Sequence, residues 1–327
     1  LATTATGIDV TGTVNADALT GIGSIDATTA AAFTAAGVGG SSFASSWASL
    51  ALPAPRDSHS IHYANNLWVL GMDQGYISTS TDGVSWSDVY QLPITTETRN
   101  VFYFNGNWFV TMRYGHILKS STAASGSWSQ VFNAGLESFQ WATDGSSTIK
   151  ISLDGGRQAT SSDSGSNWSL VNNYSQFGGG ATAIAIAYGH GLWMSSGATG
   201  NLIWTSPTGN AGSWTSRYAA SQSYCKAIAH SGSISVAVGS SGQLSRSTNG
   251  TTWTRPKSAT SQSLRNVVWV GTHFVAVGDN GSIMISTDGD SWTGPVSGIG
   301  ETLNDVASDG TDLIISSRTI GGFRYAG

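Results

Sequence analysis

The sequence predicts an all-β protein, a seven-bladed β-propeller whose last blade is completed by a strand from the N-terminal side. The first observation is composition: of 327 residues, 42 are Gly and 33 are Trp, Tyr or Phe (13, 10 and 10), which suits tight turns around a large core. The second is a Trp-bearing segment that recurs at positions 86, 128, 168, 214, 253 and 292, with separations of 42, 40, 46, 39 and 39 residues. The third is that four short β segments fit into each period, as in a propeller blade.

Each period carries a turn of the general form Ser-x-Asp-Gly ahead of its Trp. The copies span residues 80–86, 161–168, 247–253 and 286–292, with looser versions at 121–128 and 205–214. Asp or Asn accepts hydrogen bonds from N–H groups two or three residues ahead, and Gly adopts positive φ without steric cost. The Trp then folds over the hairpin against a neighbouring blade. The predicted structural residues are Asp82, Trp86, Trp128, Asp163, Gly165, Trp168, Trp214, Asn249, Trp253, Asp288 and Trp292.

The seventh period lacks a Trp-bearing fourth strand. Residues 303–308, 312–318 and 322–325 read as three strands, and a β-like segment at 45–52 precedes the first full blade. We expect this segment to be the missing outer strand, because closing the ring with strands from both ends removes the open edges.

These turns resemble the Asp-box (BNR-like) propeller repeat of sialidases, sortilin-type receptors and a photosystem II assembly factor. The resemblance covers about residues 43–327, with the full Ser-x-Asp-x-Gly-x-x-Trp string at 161–168 and shortened or degraded copies elsewhere. It implies the fold and says little about function, because propellers carry many functions.

Residues 1–42 have a different composition. They are rich in Ala, Thr and Gly, with Phe33 as their one aromatic residue, and residues 6–17 alternate apolar and polar side chains. An Ala-rich run at 30–36 predicts a short helix. Such a segment is too small to fold alone. Residues 7–19 resemble the short β-repeats of tail fibres from marine bacteriophages, and residues 26–40 are similar to connectors of that class.

That resemblance implies a fibre-like connector at 1–42, joined to a propeller at 43–327 and anchored to other virion proteins. The chain would then belong to a virion, an extracellular particle. Such fibres are commonly trimeric, which implies a homotrimer, although the propeller sequence sets no symmetry. A generic flexible linker is the alternative reading of residues 1–42.

Charge and composition argue against several classes of partner. The net charge is −5 without a basic cluster, which disfavours nucleic acid. No apolar run approaches the 18 residues of a membrane span, so no membrane insertion is expected. Cys225 is the single cysteine and reads as a small apolar strand residue. No cofactor is expected, since we find no phosphate-binding, dinucleotide or metal-ligand spacing.

Catalysis by a sialidase-like mechanism would need an arginine triad, a Tyr–Glu pair, an acid/base Asp and an aromatic-Arg-Ile-Pro string. Arg56 follows Pro53 and Pro55, but no Ile-Pro follows it. The turn aspartates are explained by their local hydrogen bonds. We therefore predict that the chain is not an enzyme, with a sialidase-like glycoside hydrolase kept as an alternative.

A binding face is predicted instead. In a propeller, the turns between second and third strands and the connections between blades lie on one face. Mixed Asp, Asn, Arg and Tyr side chains on such a face suit a sugar, although each one taken singly also fits an ordinary hydrated loop. The predicted ligand-binding residues are Asp73, Gln74, Arg113, Tyr114, Asp154, Arg157, Tyr174, Asn201, Tyr224, Asp279, Asn280 and Arg318.

The functional prediction is a virion appendage, such as a phage tail fibre or tail tip, whose propeller head binds a host surface glycan or protein. Two alternatives stay open. One is a structural virion protein whose propeller packs on other virion components, and the other is the glycoside hydrolase.

Overall fold

The computed structural model describes residues 2–4, 7–9, 47–54, 56–87, 89–173, 177, 183–197, 202–218, 225–294, 299–319 and 321–326. The chain divides into two compact units, Leu1–Gly39 and Gly40–Gly327. In the first, β1 (Ala2–Thr4) pairs antiparallel with β2 (Gly7–Asp9). The helix predicted at 30–36 and most of the fibre-like segment lie outside the described residues, so the role of residues 1–42 stays a prediction.

The second unit is an all-β, seven-bladed propeller, which confirms the predicted fold class. Each blade is an antiparallel sheet, and in blades 1 to 6 the strands follow chain order from the inside outwards. Blade 1 has β4 (Ser58–Ala64), β5 (Leu67–Met72), β6 (Tyr76–Ser80) and β7 (Tyr90–Gln91). Blade 2 has β8 (Thr98–Phe104), β9 (Asn107–Met112), β10 (His116–Ser120) and β11 (Ser129–Asn133). Blade 3 has β12 (Ser138–Thr143), β13 (Ile149–Leu153), β14 (Arg157–Ser161) and β15 (Ser169–Asn172).

The remaining blades follow the same plan. Blade 4 has β16 (Ala183–Gly189), β17 (Leu192–Gly197), β18 (Leu202–Ser206) and β19 (Thr215–Tyr218). Blade 5 has β20 (Cys225–His230), β21 (Ser235–Gly239) and β22 (Leu244–Ser247). Blade 6 has β23 (Leu264–Trp269), β24 (Phe274–Gly278) and β25 (Ile283–Ser286). Blade 7 has β26 (Leu303–Ser308), β27 (Leu313–Ser317), β28 (Gly321–Tyr325) and, outermost, β3 (Trp47–Ser49).

The ring is closed as predicted, by a strand from the N-terminal side. In the β28–β3 pair, Phe323, Arg324 and Tyr325 lie opposite Ser49, Ala48 and Trp47. The backbone N–H of Leu50 extends the pairing by donating to the Gly322 carbonyl at 2.9 Å. Gly321 has φ +86°, a backbone conformation in which other residues are strained, so glycine is favoured at this position of the closure.

Among the residues that the structure describes, the fourth strands predicted for blades 5 and 6 are shorter than expected. Each is reduced to a single bridge, Arg246 with Thr254 in blade 5 and Ile285 with Thr293 in blade 6. In blade 5, Pro256 stands two residues beyond the bridge. Because proline has no N–H to donate, it stops the ladder from continuing.

The turns before the tryptophans are built from a buried serine and an acidic or amide side chain. In blade 6, the Ser286 hydroxyl accepts from the Gly289 N–H at 2.8 Å, and Asp288 Oδ1 accepts from the N–H groups of Asp290 and Ser291, both at 2.8 Å. The serine contact recurs in five other blades, from Ser80, Ser120, Ser161, Ser206 and Ser247. In the looser copies a threonine, Thr122 or Thr208, takes the place of the aspartate.

Each repeat Trp seals its blade against the preceding one, as the sequence predicts. Trp253 of blade 5, for example, is buried in a cluster with Ala185, Met194 and Ile203 of blade 4. Trp86 of blade 1 lies in a cluster that includes residues of the closing segment and of blade 7. The core is therefore a series of apolar layers between blades, which leaves the inner strands' polar residues to line the central channel.

Candidate functional site

Every inner strand of the propeller carries a β-bulge at the same place, near its start. The pairing with the second strand shifts between residues 58 and 60, 98 and 100, 138 and 141, 183 and 185, 225 and 227, 264 and 266, and 303 and 305. A bulge re-aims a side chain out of the regular alternation. In five blades the bulged residue lines one common cavity: His59, Arg99, Lys226, Arg265 and Asn304.

This mouth cavity, with a volume of about 410 Å³, lies where the inner strands begin. Because the inner and second strands are antiparallel, the start of each inner strand lies beside the turn between second and third strands. The mouth cavity and those turns therefore share one face of the propeller. Asn100, Gln140, Asn266 and Asp305 line the mouth cavity next to the bulged residues.

Asp305 and Gln140 tie the blades together around the channel. The Asp305 carboxylate accepts hydrogen bonds from Ser60 Oγ at 2.7 Å, Ile61 N at 3.1 Å, Asn266 Nδ2 at 2.6 Å and Val306 N at 2.8 Å, so it links blades 6, 7 and 1. Burial raises the pKa of this carboxyl group even though all four contacts favour its ionised form.

Gln140 of blade 3 reaches two other blades. Its Nε2 donates to the Ile228 carbonyl at 3.1 Å, and its Oε1 accepts from the N–H groups of Ile186 at 3.1 Å and Ile228 at 3.3 Å. A side chain held at both ends in this way is a fixed part of the channel wall.

Most of the charged groups on this face are paired. Arg99 and Arg113 share Glu97 and Glu137, with N–O distances of 3.0 to 3.5 Å. The other two pairs are His59 Nε2 with Asp73 Oδ1 and Arg265 Nε with Asp279 Oδ1, each at 2.5 Å.

Two cations of the mouth cavity differ from this pattern. Within the described part of the chain, neither Lys226 nor Arg318 forms an ion pair. Burial lowers the pKa of Lys226, and nearby Arg265 lowers it further, while Asp279 acts in the opposite direction. An anion placed beside these two groups would form charge-assisted hydrogen bonds with them.

A second hollow, the blade 1–2 cleft, lies between the turns of blades 1 and 2 and has a volume of about 330 Å³. It is lined by Asp73 and Gln74 from the blade 1 turn, residues 95–97 from the connection, and Arg113 and Tyr114 from the blade 2 turn. The Tyr114 side chain is 51% exposed, and its backbone is left-handed, with φ +64° and ψ +19°.

The predicted ligand-binding residues fall into four places in the structure, and three of these residues lie outside the described part of the chain. Arg318 lines the mouth cavity, and Asp73, Gln74, Arg113 and Tyr114 meet in the blade 1–2 cleft. Asp154 and Arg157 flank the turn of blade 3, while Asp279 and Asn280 form the turn of blade 6. Tyr174, Asn201 and Tyr224 lie outside the described residues.

Sequence reasoning missed the mouth cavity, apart from Arg318. The bulged cations Arg99, Lys226 and Arg265 occupy equivalent positions in blades 2, 5 and 6, each at the start of an inner strand. A basic residue repeated at one position of the period was the signal that could have found them. It was overlooked because alternation in a regular strand does not show where a bulged side chain points.

Two absences hold for the residues that the structure describes. They contain no group of three or more His, Cys, Asp and Glu side chains arranged to hold a metal ion. They contain no helix long and apolar enough to cross a membrane.

No protein-family model and no curated protein matches this chain. Several solved structures do match it. YCF48 from Cyanidioschyzon merolae is 17% identical, with a TM-score of 0.67, and the match covers 86% of this chain and 98% of that one. YCF48 bound to D1 peptide is 15% identical, with a TM-score of 0.67 and coverages of 86% and 95%.

Virginiamycin B lyase from Staphylococcus aureus is 13% identical, with a TM-score of 0.72, and the match covers 86% of this chain and 98% of that one. A streptogramin B lyase structure is 10% identical, with a TM-score of 0.72, and the match covers 86% of this chain and 97% of that one. The prediction that the chain is not an enzyme is therefore overturned. Lyases are among the propellers of this architecture, and the missing sialidase string argues against only one chemistry. At these identities the similarities show the seven-bladed fold and assign no reaction or ligand.

Proposed function

We propose that the propeller is a binding module whose mouth cavity holds an acidic segment of a partner protein. The observation that carries the proposal is that Lys226 and Arg318 line the mouth cavity with no ion-pair partner in the described chain. Lys226 is partly buried, and leaving its charge partly desolvated is unfavourable unless something compensates. A carboxylate bound beside it would do so, and the exposed Arg318 would add a second charge-assisted contact.

The size of the mouth cavity and one structural neighbour support a peptide-like ligand. A volume of about 410 Å³ lies within the range of specific ligand pockets and admits a few residues of an extended chain. The neighbour YCF48 has been solved bound to D1 peptide. Asn304 donates to the Ser58 carbonyl through Nδ2 at 2.7 Å, and its Oδ1 would accept a further hydrogen bond from the backbone of such a segment.

Fluorescence anisotropy with two labelled hexapeptides tests this proposal. One peptide ends in two aspartates and a free carboxylate, and the other has asparagines and an amidated end. We expect only the acidic peptide to bind, with an affinity that falls as sodium chloride is added. Lys226→Ala and Arg318→Ala should each weaken binding about ten-fold, because a charge-assisted hydrogen bond contributes roughly 1.5 kcal/mol.

Lys257→Ala provides the matched control, because Lys257 is an exposed lysine that does not line the mouth cavity. It should leave the affinity unchanged. Equal binding of both peptides, or an equal loss in the control, would contradict the assignment of the mouth cavity.

The biological setting that we propose is a virion appendage carrying this module as a receptor-binding head, with a host surface protein or glycan as the partner. Support comes from the tail-fibre resemblance of residues 7–19. Immunogold labelling of purified particles with an antibody against residues 43–327 tests it. Gold at the tips of appendages is the expected result, and gold at internal virion positions would favour the structural alternative.

A further inference from the structure

Tyr114 is an unusual residue for its position, the middle of the turn that joins the second and third strands of blade 2. The middle residue of this turn has positive φ in five blades, at Gln74 (+55°), Tyr114 (+64°), Gly155 (+65°), Ser241 (+56°) and Asn280 (+52°). Glycine adopts this conformation freely and small polar residues accept it, whereas a bulky aromatic side chain is strained there. A strained residue of this kind, lining a cleft, is a reason to look for a function.

The surroundings of Tyr114 hold that strained backbone in place. On one side, Arg113 N donates to the Glu97 carbonyl at 2.8 Å, and on the other, Ala134 N donates to the Gly115 carbonyl at 2.9 Å. The Arg113 guanidinium lies 5.2 Å from the centre of the Tyr114 ring and donates to Glu137 Oε1 at 3.0 Å. The ring is therefore held at the cleft while half of its surface stays in solvent.

The rest of the blade 1–2 cleft offers polar groups with spare hydrogen-bonding capacity. The Gln74 amide and the Thr95 hydroxyl have no partner among the described residues. Asp73 uses Oδ1 for His59 and leaves Oδ2 open. An exposed aromatic face beside amide, hydroxyl and carboxylate groups is suited to a ligand with one apolar face and an edge of hydroxyl groups.

The charges of the cleft favour an uncharged ligand. Arg113 is committed to Glu97 and Glu137, and Asp73 is committed to His59, so no cation of the cleft is left without an acidic partner. The volume of about 330 Å³ lies at the small end of the range for ligand pockets.

From this geometry we infer that the blade 1–2 cleft binds a neutral pyranose. One face of the sugar stacks on the Tyr114 ring, and its hydroxyl groups bond to Gln74, Thr95 and Asp73. The cleft borders the mouth cavity, since Glu97 lines both, but none of the residues that would contact the sugar lines the mouth cavity, so the inference does not depend on the peptide-binding proposal. A free sugar and the terminal residue of a glycan present the same chemistry here.

Saturation-transfer NMR on the full chain tests this inference with methyl glucoside, galactoside and mannoside as probes. We expect transfer to the ring protons of at least one of them. Tyr114→Phe should keep the signal, because it keeps the aromatic face, and Tyr114→Gly should abolish it even though it relieves the backbone strain. A tetrasaccharide ending in the preferred sugar should bind at least as well if the natural source is a glycan, and less well if it is a free sugar.

Ser241→Gly is the matched control, since it relieves the same kind of turn in blade 5 and should leave the signal unchanged. Lys226→Ala should also leave it unchanged, which separates this site from the mouth cavity. The inference is overturned if no pyranoside shows transfer, if Tyr114→Gly keeps the signal, or if acidic peptides displace the sugar from the cleft.

Discussion

At the scale of single residues, burial lowers the pKa of two side chains, Lys150 and His62. The Lys150 side chain is only 1% exposed, its Nζ donates to Thr160 Oγ1 at 3.3 Å, and it lies 5.2 Å from the Trp193 ring centre. His62 contacts the edges or faces of Trp108 and Trp141, with ring centres 6.0 Å apart in both cases. Neither could be predicted from the sequence, because alternation in a strand does not reveal which polar side chain the next blade will cover.

Burial lowers the pKa of Lys150 to about 8, with Asp144 acting weakly against it. The unfolded chain therefore binds more protons than the folded one between about pH 8 and the ordinary lysine value, and the free energy of unfolding should rise with pH across that window. Lys150→Met should stabilise the protein at pH 7 by roughly 1–3 kcal/mol, because it removes a buried charge and keeps the aliphatic volume. Urea unfolding of both proteins at pH 7 and pH 10 measures this, and a destabilised Met variant would be evidence against it.

Burial lowers the pKa of His62 to about 4. The folded chain thus disfavours the protonated imidazole, so stability should fall as pH drops from 6.5 towards 4 and change no further below that through this group. Since the side chain is only partly covered, we expect a loss of about 1–2 kcal/mol. His62→Phe should flatten this part of the pH profile in urea melts, whereas an unchanged slope would assign the effect to another group.

At the scale of elements, the turns were predicted from the sequence and the bulges were not. An aspartate two residues after a serine, followed by glycine, encodes its own hydrogen bonds, so the local string is sufficient. A bulge arises from pairing between two strands and leaves no local mark, so the sequence alone does not show that Arg99, Lys226 and Arg265 are bulged residues. The shortened fourth strand of blade 5 could have been predicted from Pro256, because proline has no N–H to donate to a strand pair.

The buried serine of the turn should contribute measurably to stability. In blade 5, Ser247→Ala leaves the buried Gly250 N–H without its 2.8 Å acceptor. An unsatisfied buried donor costs about 1–2 kcal/mol, and chemical denaturation should show a loss of that size. Ser261→Ala, at an exposed serine in the connection to blade 6, is the control and should cost less than about 0.5 kcal/mol. Equal effects in the two variants would show that the turn hydroxyl is dispensable.

At the scale of the whole molecule, the propeller depends on a strand that lies far from its partner along the chain. The spacing of the tryptophans predicts the number of blades. The seventh period lacks a fourth strand, which predicts that a strand from the N-terminal side completes the ring. The architecture was therefore predictable as a whole. The position of the mouth cavity was not, because it forms only when inner strands from different blades converge around one axis.

Truncations test the closure. A chain of residues 43–327 keeps β3 and should unfold at the same urea concentration as the full chain, because the fold of the second unit is intact. A chain of residues 54–327 loses β3 together with the buried Leu50 and Leu52. Removing two buried leucines alone costs on the order of 5 kcal/mol, comparable to the whole stability of a domain, so this fragment should unfold or aggregate. A well-folded 54–327 fragment, by circular dichroism and gel filtration, would show that blade 7 is stable with three strands.

The pairing of β3 with β28 also sets an order of events during translation. While the ribosome extends the chain, residues 47–49 emerge early and have no partner until residues 321–325 have been made. Blades 1 to 6 can pair their own strands as they appear, but the apolar surfaces that blades 1 and 7 bury against each other stay uncovered until blade 7 has been made. The nascent propeller is thus an open arc for most of its synthesis, and this is the period in which chaperones would protect it from aggregation.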